Sequence, residues 1–396
     1  MTDRATGLAA PASQALPQAE KLARLRLARS ENVGPITFRQ LLERYGSGEA
    51  ALAALPELAR RGGRTRPIRI CPAGAAEDEL AALAACGADL LVLGEAGYPP
   101  RLAAVEDAPP AVSLLGHRHL SAQPIVAMVG ARNASANGRR LAQRIAGDLG
   151  AAGFVVASGM ARGIDAAAHQ GALDSGTLAV VAGGVDVVYP EENRALYQEI
   201  AARGLVLSEM PPGTVPQSRH FPRRNRLISG LSLGVVVVEA TLRSGSLITA
   251  RCALEQGREV FAVPGSPLDP RARGCNRLLR DGAGLVESAE DVVEVLSRIL
   301  ASPLREPAPP PPVPGARPAE LPLSDEAASE AARAAVESLL GPTPVTVDEL
   351  ARTSGLALPV LQQILLELEL AGRLERHPGQ KVALIMSPGG AGNSPE

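Results

Sequence analysis

Between Asp89 and Leu300 the sequence alternates short, continuously apolar runs with amphipathic segments, and no other feature restricts the fold as strongly. The apolar runs are Ile125–Val129, Phe154–Ala157, Leu178–Ala182, Leu205–Leu207, Val235–Val238 and Val260–Val263. Runs of that length without polar alternation suit strands buried on both faces. Between them lie segments of helical periodicity, among them Gly138–Leu149, Glu192–Ala202 and Leu247–Gln256. Strand then helix, repeated, predicts an α/β fold built on an extended, Rossmann-like, doubly wound parallel sheet. The preceding stretch Leu90–Leu115, with prolines among short apolar runs, is expected to add one or two strands and a covering loop.

The flanks read differently. From about Ala19, Leu22, Leu25, Leu27 and Val33 precede a break at Gly34-Pro35. Phe38, Leu41, Leu42 and Tyr45 then recur at helical spacing before Gly46, and Glu49–Arg61 repeats the pattern. Short helices with glycine turns over residues 1–88 suggest a SAM-like or helix-hairpin-helix module. Its amides could face a phosphate, or the module could serve packing and protein contact; both remain open. Residues 89–300 form the sheet domain. Ser302–Leu323 is dense in proline and reads as a semi-rigid polyproline II linker, so 301–323 is assigned as spacer. Residues 324–396 read as three helices and a hairpin, a winged-helix-like domain. Thr346 or Asp348 can cap its second helix, Gly355 breaks the chain, Pro359 starts the third helix, and "GRLER" and "KVALI" make the wing. Val345–Ile385 holds five acidic and four basic residues, whereas a groove-reading helix should be basic. Protein contact is the expected role there.

Composition sets further bounds. With 46% hydrophobic and 21% charged residues, the 396-residue chain can bury a core. No apolar run reaches the ~18 residues of a membrane span, so no membrane role is expected. Met1–Leu16 lacks the apolar segment of a secretory signal, and Cys71, Cys86, Cys252 and Cys275 form no CxxC pair. Free thiols in a reducing cytoplasm are expected. A net charge of −2 gives no global positive field, so any nucleic-acid site must be local. Only Lys21 and Lys381 are lysines among 40 basic residues, so an arginine here is weaker evidence for bidentate chemistry than elsewhere. Four Phe, four Tyr and no Trp exclude an extended stacking platform.

In open α/β sheets, ligands bind beyond the carboxyl ends of the strands. After the strand ending at Val129 comes Gly130-Ala131-Arg132; after Ala157 comes Ser158-Gly159, with Arg162 and Asp165 following. After Val181 come Gly183-Gly184, and after Val238 comes a loop ending in Ser244-Gly245-Ser246, then Thr249. Glycine permits close approach of backbone to an anion, helix N-termini attract it, and hydroxyls and guanidiniums bond to it. Four such loops on one edge predict a phosphate-binding surface. The most basic run, Arg219 to Arg226, adds Phe221, Arg223, Arg224, Asn225 and Arg226 on a Pro-rich loop entering a helix around Asn225. Arginines for phosphates and one ring for a base suit a single strand.

Neither GxxxxGK[ST] nor GxGxxG after the first strand is present, so nucleoside triphosphate and dinucleotide cofactors are not expected. "GIDAAAH" invites acid–base chemistry from Asp165 and His169, but a structural brace between loop and helix is the preferred role. Glu209, Glu239 and Asp186 make no metal spacing with any His or Cys. No cofactor and no metal are expected, and a binder is favoured over an enzyme.

The segments "VGARNASANG", "SGMARGIDAAAHQGAL", "SEMPPG", "HFPRRNRLISGLS", "VVVEATLRSGSLITARCALEQGREVFAVPGS" and "GCNRLLRDGA" together resemble the DNA-processing protein A (Smf) family, nearly continuously from Tyr98 to Leu296. The resemblance implies a protein that binds and shields single-stranded DNA and loads the RecA recombinase in natural transformation, dimerising through the Rossmann-like domain. It also implies DNA contacts at Gly130 and Arg132, at Phe221, Arg223, Arg224, Asn225 and Arg226, and at Ser244, Gly245 and Ser246. One departure is Ala136-Asn137, where relatives often carry an aromatic; a weaker stacking contact or a changed loop order is the consequence. RecA-contact residues have no recognisable motif.

Two other functions compete. Gly/Ser/Thr loops on such a sheet also resemble nucleotide-5′-monophosphate phosphoribohydrolases, but "RSGSLITA" lacks the carboxylate that those enzymes need after their PGGxGT-type loop. A duplex-binding regulator working through the winged helix is disfavoured by the acidity of its third helix.

Overall fold

The computed structural model describes residues 16–301, 330–377 and 379–385. The Ser302–Leu323 linker therefore lies outside the described residues, as do residues 1–15 and the last eleven positions. Helices α1 (Gln18–Ala28), α2 (Pro35–Tyr45), α3 (Gly48–Arg61) and α4 (Ala73–Ala85) open the chain. They are followed by β1 (Ala88–Val92), the short α5 (Pro100–Ala103) and β2 (Ala111–Gly116). The alternating region runs β3 (Ile125–Val129), α6 (Ala136–Ala151), β4 (Val155–Ser158), α7 (Ile164–Ala172), β5 (Thr177–Val180), α8 (Arg194–Arg203) and β6 (Leu205–Ser208). It continues with α9 (His220–Leu231), β7 (Gly234–Val237), α10 (Ser246–Glu255), β8 (Glu259–Ala262), α11 (Arg273–Arg280), β9 (Gly284–Leu285) and α12 (Ala289–Ala301). The C-terminal elements are α13 (Glu330–Leu339), β10 (Val345–Thr346), α14 (Val347–Ser354), α15 (Leu358–Leu370), β11 (Leu374–His377) and β12 (Lys381–Leu384).

The chain divides into two compact units, one holding the large sheet and the other holding Arg26–Pro72 with the C-terminal elements. In the first, nine strands lie in the order β1-β2-β6-β5-β4-β3-β7-β8-β9. β1, β2 and β6 pair antiparallel, and the ladders from β6 through β9 are parallel. The expected doubly wound sheet is present, and the Leu90–Leu115 stretch supplies β1 and β2. Each parallel strand is apolar because helices cover both faces. Along β3, Ile125, Ala127 and Val129 enter one core while Val126 and Met128 enter the other. At roughly 1.5–3 kcal/mol for each large side chain removed from water, a strand so divided pins its own register.

Strand order reverses between β3 and β7: β4, β5 and β6 step away on one side, β8 and β9 on the other. The loops after β3 and β7 therefore part at this point and leave a crevice, where ligands of open α/β sheets settle.

In the second unit, Thr346 caps α14 by accepting the Glu349 amide at 3.2 Å, and Gly355 ends that helix at φ +66°. β10, β12 and β11 form the small antiparallel sheet of a winged helix. Its third helix, α15, turns Leu361, Ile364, Leu365 and Leu368 into its own core. Leu366 and Leu370 are buried as well, because α15 packs on α3. Asn32 donates to the Leu370 carbonyl at 3.1 Å and Arg373 to that of Gly62 at 3.3 Å. A Cβ at Gly62 would stand 1.9 Å from the Glu367 carbonyl oxygen, so only glycine lets the two helices close. Glu367 is fully buried between Arg333 and Gln363. The C-terminal half of α15 is thus covered by this chain's own α3, while Leu358, Pro359 and Gln362 in its first turns stay exposed.

Candidate nucleic-acid interface

The loop after β3 is held from the far side of the crevice. Ser135 caps α6, its hydroxyl accepting the Gly138 amide at 2.9 Å, and Glu239, just past β7, accepts the Ser135 amide at 2.9 Å and its hydroxyl at 2.5 Å. A carboxylate of the protein therefore stands at the α6 N-terminus, where a phosphate was expected. Asp165 does the same in the next loop, accepting the Ala161 amide at 3.2 Å. Helix-terminal amides contribute less to this edge than the sequence suggests, and its cations and rings contribute more.

Three of those groups meet. The Arg132 guanidinium lies 5.3 Å from the centroid of the Phe221 ring, and Tyr189 meets the other side of the cluster at 5.8 Å from Phe221, tilted by 51°. They line a cavity of about 330 Å³ with Gly159, Arg162, Gly183, Glu191 and Glu192. Arg162 and Glu192 form an exposed ion pair at 3.4 Å across this rim, and Glu191 pairs with Arg194 at 2.6 Å. The Arg194 guanidinium, by hydrogen bonding, holds the Glu191 carboxyl below the usual carboxylate range. Ring faces beside an exposed guanidinium can take a flat heteroaromatic base, with the cation on its phosphate.

The arginine run separates into different environments. The helix begins at His220 rather than near Asn225, so His220, Arg224, Leu227, Ile228 and Leu231 share the buried face. Arg224 is 5% exposed, and its guanidinium donates to the carbonyls of Gly159 and Val180. Burial lowers its pKa to about 10, with Asp165 opposing and Arg132 reinforcing that shift. Burial in turn raises the Asp165 carboxyl, against the Arg224 charge. Arg224 is an internal brace, which corrects its expected place on the DNA-facing surface. Arg226 is largely buried against Glu209, with Asp107 at 3.6 Å. Arg223 is open, 58% exposed and 3.8 Å from Glu209, and Arg219 is exposed as well.

Other expected contacts also turn inward. Ser158 is fully buried and donates to the Met128 carbonyl at 2.6 Å. The hydroxyl is thereby spent inside the sheet, not offered to phosphate. A Cβ at Gly130 would meet Ile164 at 2.6 Å, and one at Gly159 would meet the Arg224 guanidinium at 2.4 Å. Both glycines exist for close packing between loops. Gly245 differs: nothing lies within 4 Å of its would-be Cβ, so its backbone is open. The Ser244 and Ser246 hydroxyls bond to each other at 2.7 Å, and Asn225 donates to the Gly245 carbonyl at 3.3 Å. That bond joins the Ser244–Ser246 turn to α9 and so to the helix bearing Phe221.

Sequence reasoning did not find Tyr189, which sits in the long segment between β5 and α8 and meets Phe221 only through the fold. The His169 and Asp165 pair does act as a brace. The Thr177 hydroxyl donates to the Val156 carbonyl at 2.8 Å, so it accepts from His169 Nδ1 at 2.7 Å. The proton thus resides on Nδ1, and buried Nε2 has no partner among the described residues. Burial, aided by the Arg224 charge, lowers the His169 pKa to about 3. Among the described residues no cluster of three His, Cys, Asp or Glu could hold a metal, and no helix is long and apolar enough to cross a membrane.

Comparison with known proteins agrees with this architecture. The profile of the DNA recombination-mediator protein A family matches residues 89–297. Profiles for a DprA-like N-terminal HHH domain and a DprA winged helix domain match residues 18–82 and 306–380. The DNA processing protein DprA of Streptococcus pneumoniae is 46% identical over 198 residues, 50% of this chain and 70% of that protein. Protein Smf of Escherichia coli is 38% identical over 290 residues, 72% of this chain and 75% of the relative. The X-ray structure of DprA from Streptococcus pneumoniae superposes with a TM-score of 0.59 at 34% identity, covering 71% of this chain and 98% of that one. DprA from Helicobacter pylori, whose structure was described for its single-stranded DNA binding mode, gives 0.50 at 29% identity over 54% of this chain and 96% of its own. On this match of profile, sequence and fold, the chain belongs to the DNA recombination-mediator protein A family.

Proposed function

We propose that this protein binds single-stranded DNA at the carboxyl-end edge of the sheet, in the cavity lined by the segments that follow β3, β4, β5 and β6, shields it, and delivers it to the RecA recombinase. The observation that carries the reading is the Arg132–Phe221–Tyr189 cluster at the mouth of the 330 Å³ cavity. A base stacked on Phe221 or Tyr189 gains roughly 1–3 kcal/mol, and it must be unpaired to enter, which selects single strands over duplex. The exposed Arg132, Arg162 and Arg223 would meet phosphates, and the open Gly245 backbone would extend that edge.

The protein acts as a homodimer through the sheet unit. Leu254 and Ile248 on α10 are 61% and 39% exposed, and Leu242 beside them is 51% exposed, apolar area that self-association would cover.

The experiment is anisotropy of labelled single-stranded and duplex oligonucleotides over a salt series, followed by RecA filament assembly on the coated strand. Binding should favour the single strand, with log K falling by roughly 0.7 for each phosphate contact per tenfold rise in salt. Faster RecA assembly on coated DNA than on bare DNA is expected when a competing single-strand binder is present. Equal affinity for duplex, or release of free base from nucleoside monophosphates, would replace this reading with a duplex-binding or enzymatic one.

A further inference from the structure

Beside the cavity, separated from it by the paired loops Ala131–Asn133 and Ala161–Gly163, lies a shallow furrow of about 580 Å³ over the first turns of α6 and α7. Its floor is small (Ala136, Gly163, Ala166 and Ala167) and its walls are Arg139, Arg140, Gln143 and Gln170. No carboxylate lines it, although the chain carries 42 acidic against 40 basic residues. Neither arginine forms an ion pair among the described residues. Arg139 donates to the Ala134 carbonyl at 2.8 Å and Arg140 to the Asn137 side chain at 2.6 Å, which leaves most of each guanidinium fork facing solvent. Arg144, one turn further on, is already engaged by Asp148 at 3.8 Å.

The furrow and the cavity share a wall. Gly163, with φ +81°, lies on the furrow floor, and a Cβ there would stand 2.6 Å from the Arg132 carbonyl oxygen. The cavity rim carries Glu191 and Glu192 in one part and Arg132 in another. The two glutamates are ion-paired with Arg194 and Arg162, whereas Arg132 is exposed, draws a polyanion leaving the cavity, and adjoins the furrow. We infer that this furrow is a second nucleic-acid subsite, in which Arg139 and Arg140 hold the phosphates of the same strand beyond the base-stacking cavity. Gln143 and Gln170 supply neutral donors along it, and the small floor leaves room for the sugar–phosphate chain.

This inference rests on the proposed function, and oligonucleotide length separates the two. A deoxythymidine oligomer of about 4 nucleotides fills one subsite, whereas one of about 16 extends past it. Arg139→Ala/Arg140→Ala should bind the short oligomer as the wild type does. For the long oligomer it should bind more weakly, with the slope of log K against log salt reduced by about 1.4, two contacts at ~0.7 each. Both side chains are exposed, so an unchanged thermal midpoint should accompany the loss. An unaltered long-oligomer slope in the double variant, with Phe221→Ala still weakening both oligomers, would overturn the furrow alone. Insensitivity of both oligomers to Phe221→Ala would instead remove the cavity reading on which it stands.

Discussion

Glu239, just past β7, grips Ser135 through both its amide and its hydroxyl, so the segment leaving one strand sets the loop that follows its neighbour β3. The would-be Cβ of Gly138 lies 2.5 Å from the same carboxyl group, which shows how closely α6 is drawn onto it. The loop bearing Arg132 is therefore fixed from across the topological switch, independently of any ligand.

Replacing Glu239 with Ala should release that loop. Hydrogen bonds to a charged group contribute about 1.5–3 kcal/mol, so urea unfolding should report a loss of that order. Single-strand affinity should fall as well, because Arg132 is no longer held against Phe221. Glu239→Gln, which keeps one acceptor, should lie between the two, and full wild-type affinity in the Ala variant would refute this positioning role.

Arg224 and Arg223 are neighbours in sequence with opposite expected phenotypes. Arg224→Ala removes a buried cation that holds the Gly159 and Val180 carbonyls, and should cost about 3 kcal/mol or more in unfolding experiments. Arg223→Ala should leave stability within about 0.5 kcal/mol while flattening the salt slope by about one contact, ~0.7. Stability losses of equal size in the two variants would contradict the assignment.

His169 gives a pH dependence of stability. Its folded pKa, lowered to about 3 by burial, lies below the ordinary value of 6.5. The unfolded chain takes up a proton that the native state refuses, so this contribution is complete above pH 6.5 and declines as pH falls toward 3. The slope from this group approaches 1.4 kcal/mol per pH unit at most. Unfolding free energies between pH 7 and 4 should fall less steeply in His169→Gln than in the wild type, and parallel curves would count against it.

Gly62→Ala should disturb only the second unit. Its Cβ would collide with the backbone of α15, an overpacking that costs roughly 1–3 kcal/mol. Protease cleavage within α15 should accelerate while single-strand binding by the sheet unit stays unchanged; unaltered cleavage would show that α3 and α15 do not need this close approach.

The sheet was legible because strands covered on both faces leave uninterrupted apolar runs: Ile125–Val129 is observed at its expected limits, and the other parallel runs shift by one or two residues. The arginine run was misread for a physical reason that the sequence did contain. His220, Arg224, Leu227, Ile228 and Leu231 recur at helical spacing, which places Arg224 on the apolar face once the helix is started at His220. Starting it near Asn225 made all four arginines look equivalent. Tyr189 left no such trace, since its meeting with Phe221 depends on how β5 and β6 bring two distant loops together. The packing of α15 on α3 was also invisible, because helices more than 300 positions apart carry no local signal of their partnership.

The single-strand binding expected above depends on an unpaired base entering the cavity beside Phe221. Photocrosslinking a single-stranded oligonucleotide that carries one photoreactive thymine analogue, followed by peptide mapping, tests it directly. Adducts are expected on Tyr189 or Phe221, abolished by excess unlabelled single strand and not by duplex. Adducts confined to the winged helix or to the N-terminal helices, with none on the segments lining the Phe221 cavity, would contradict it.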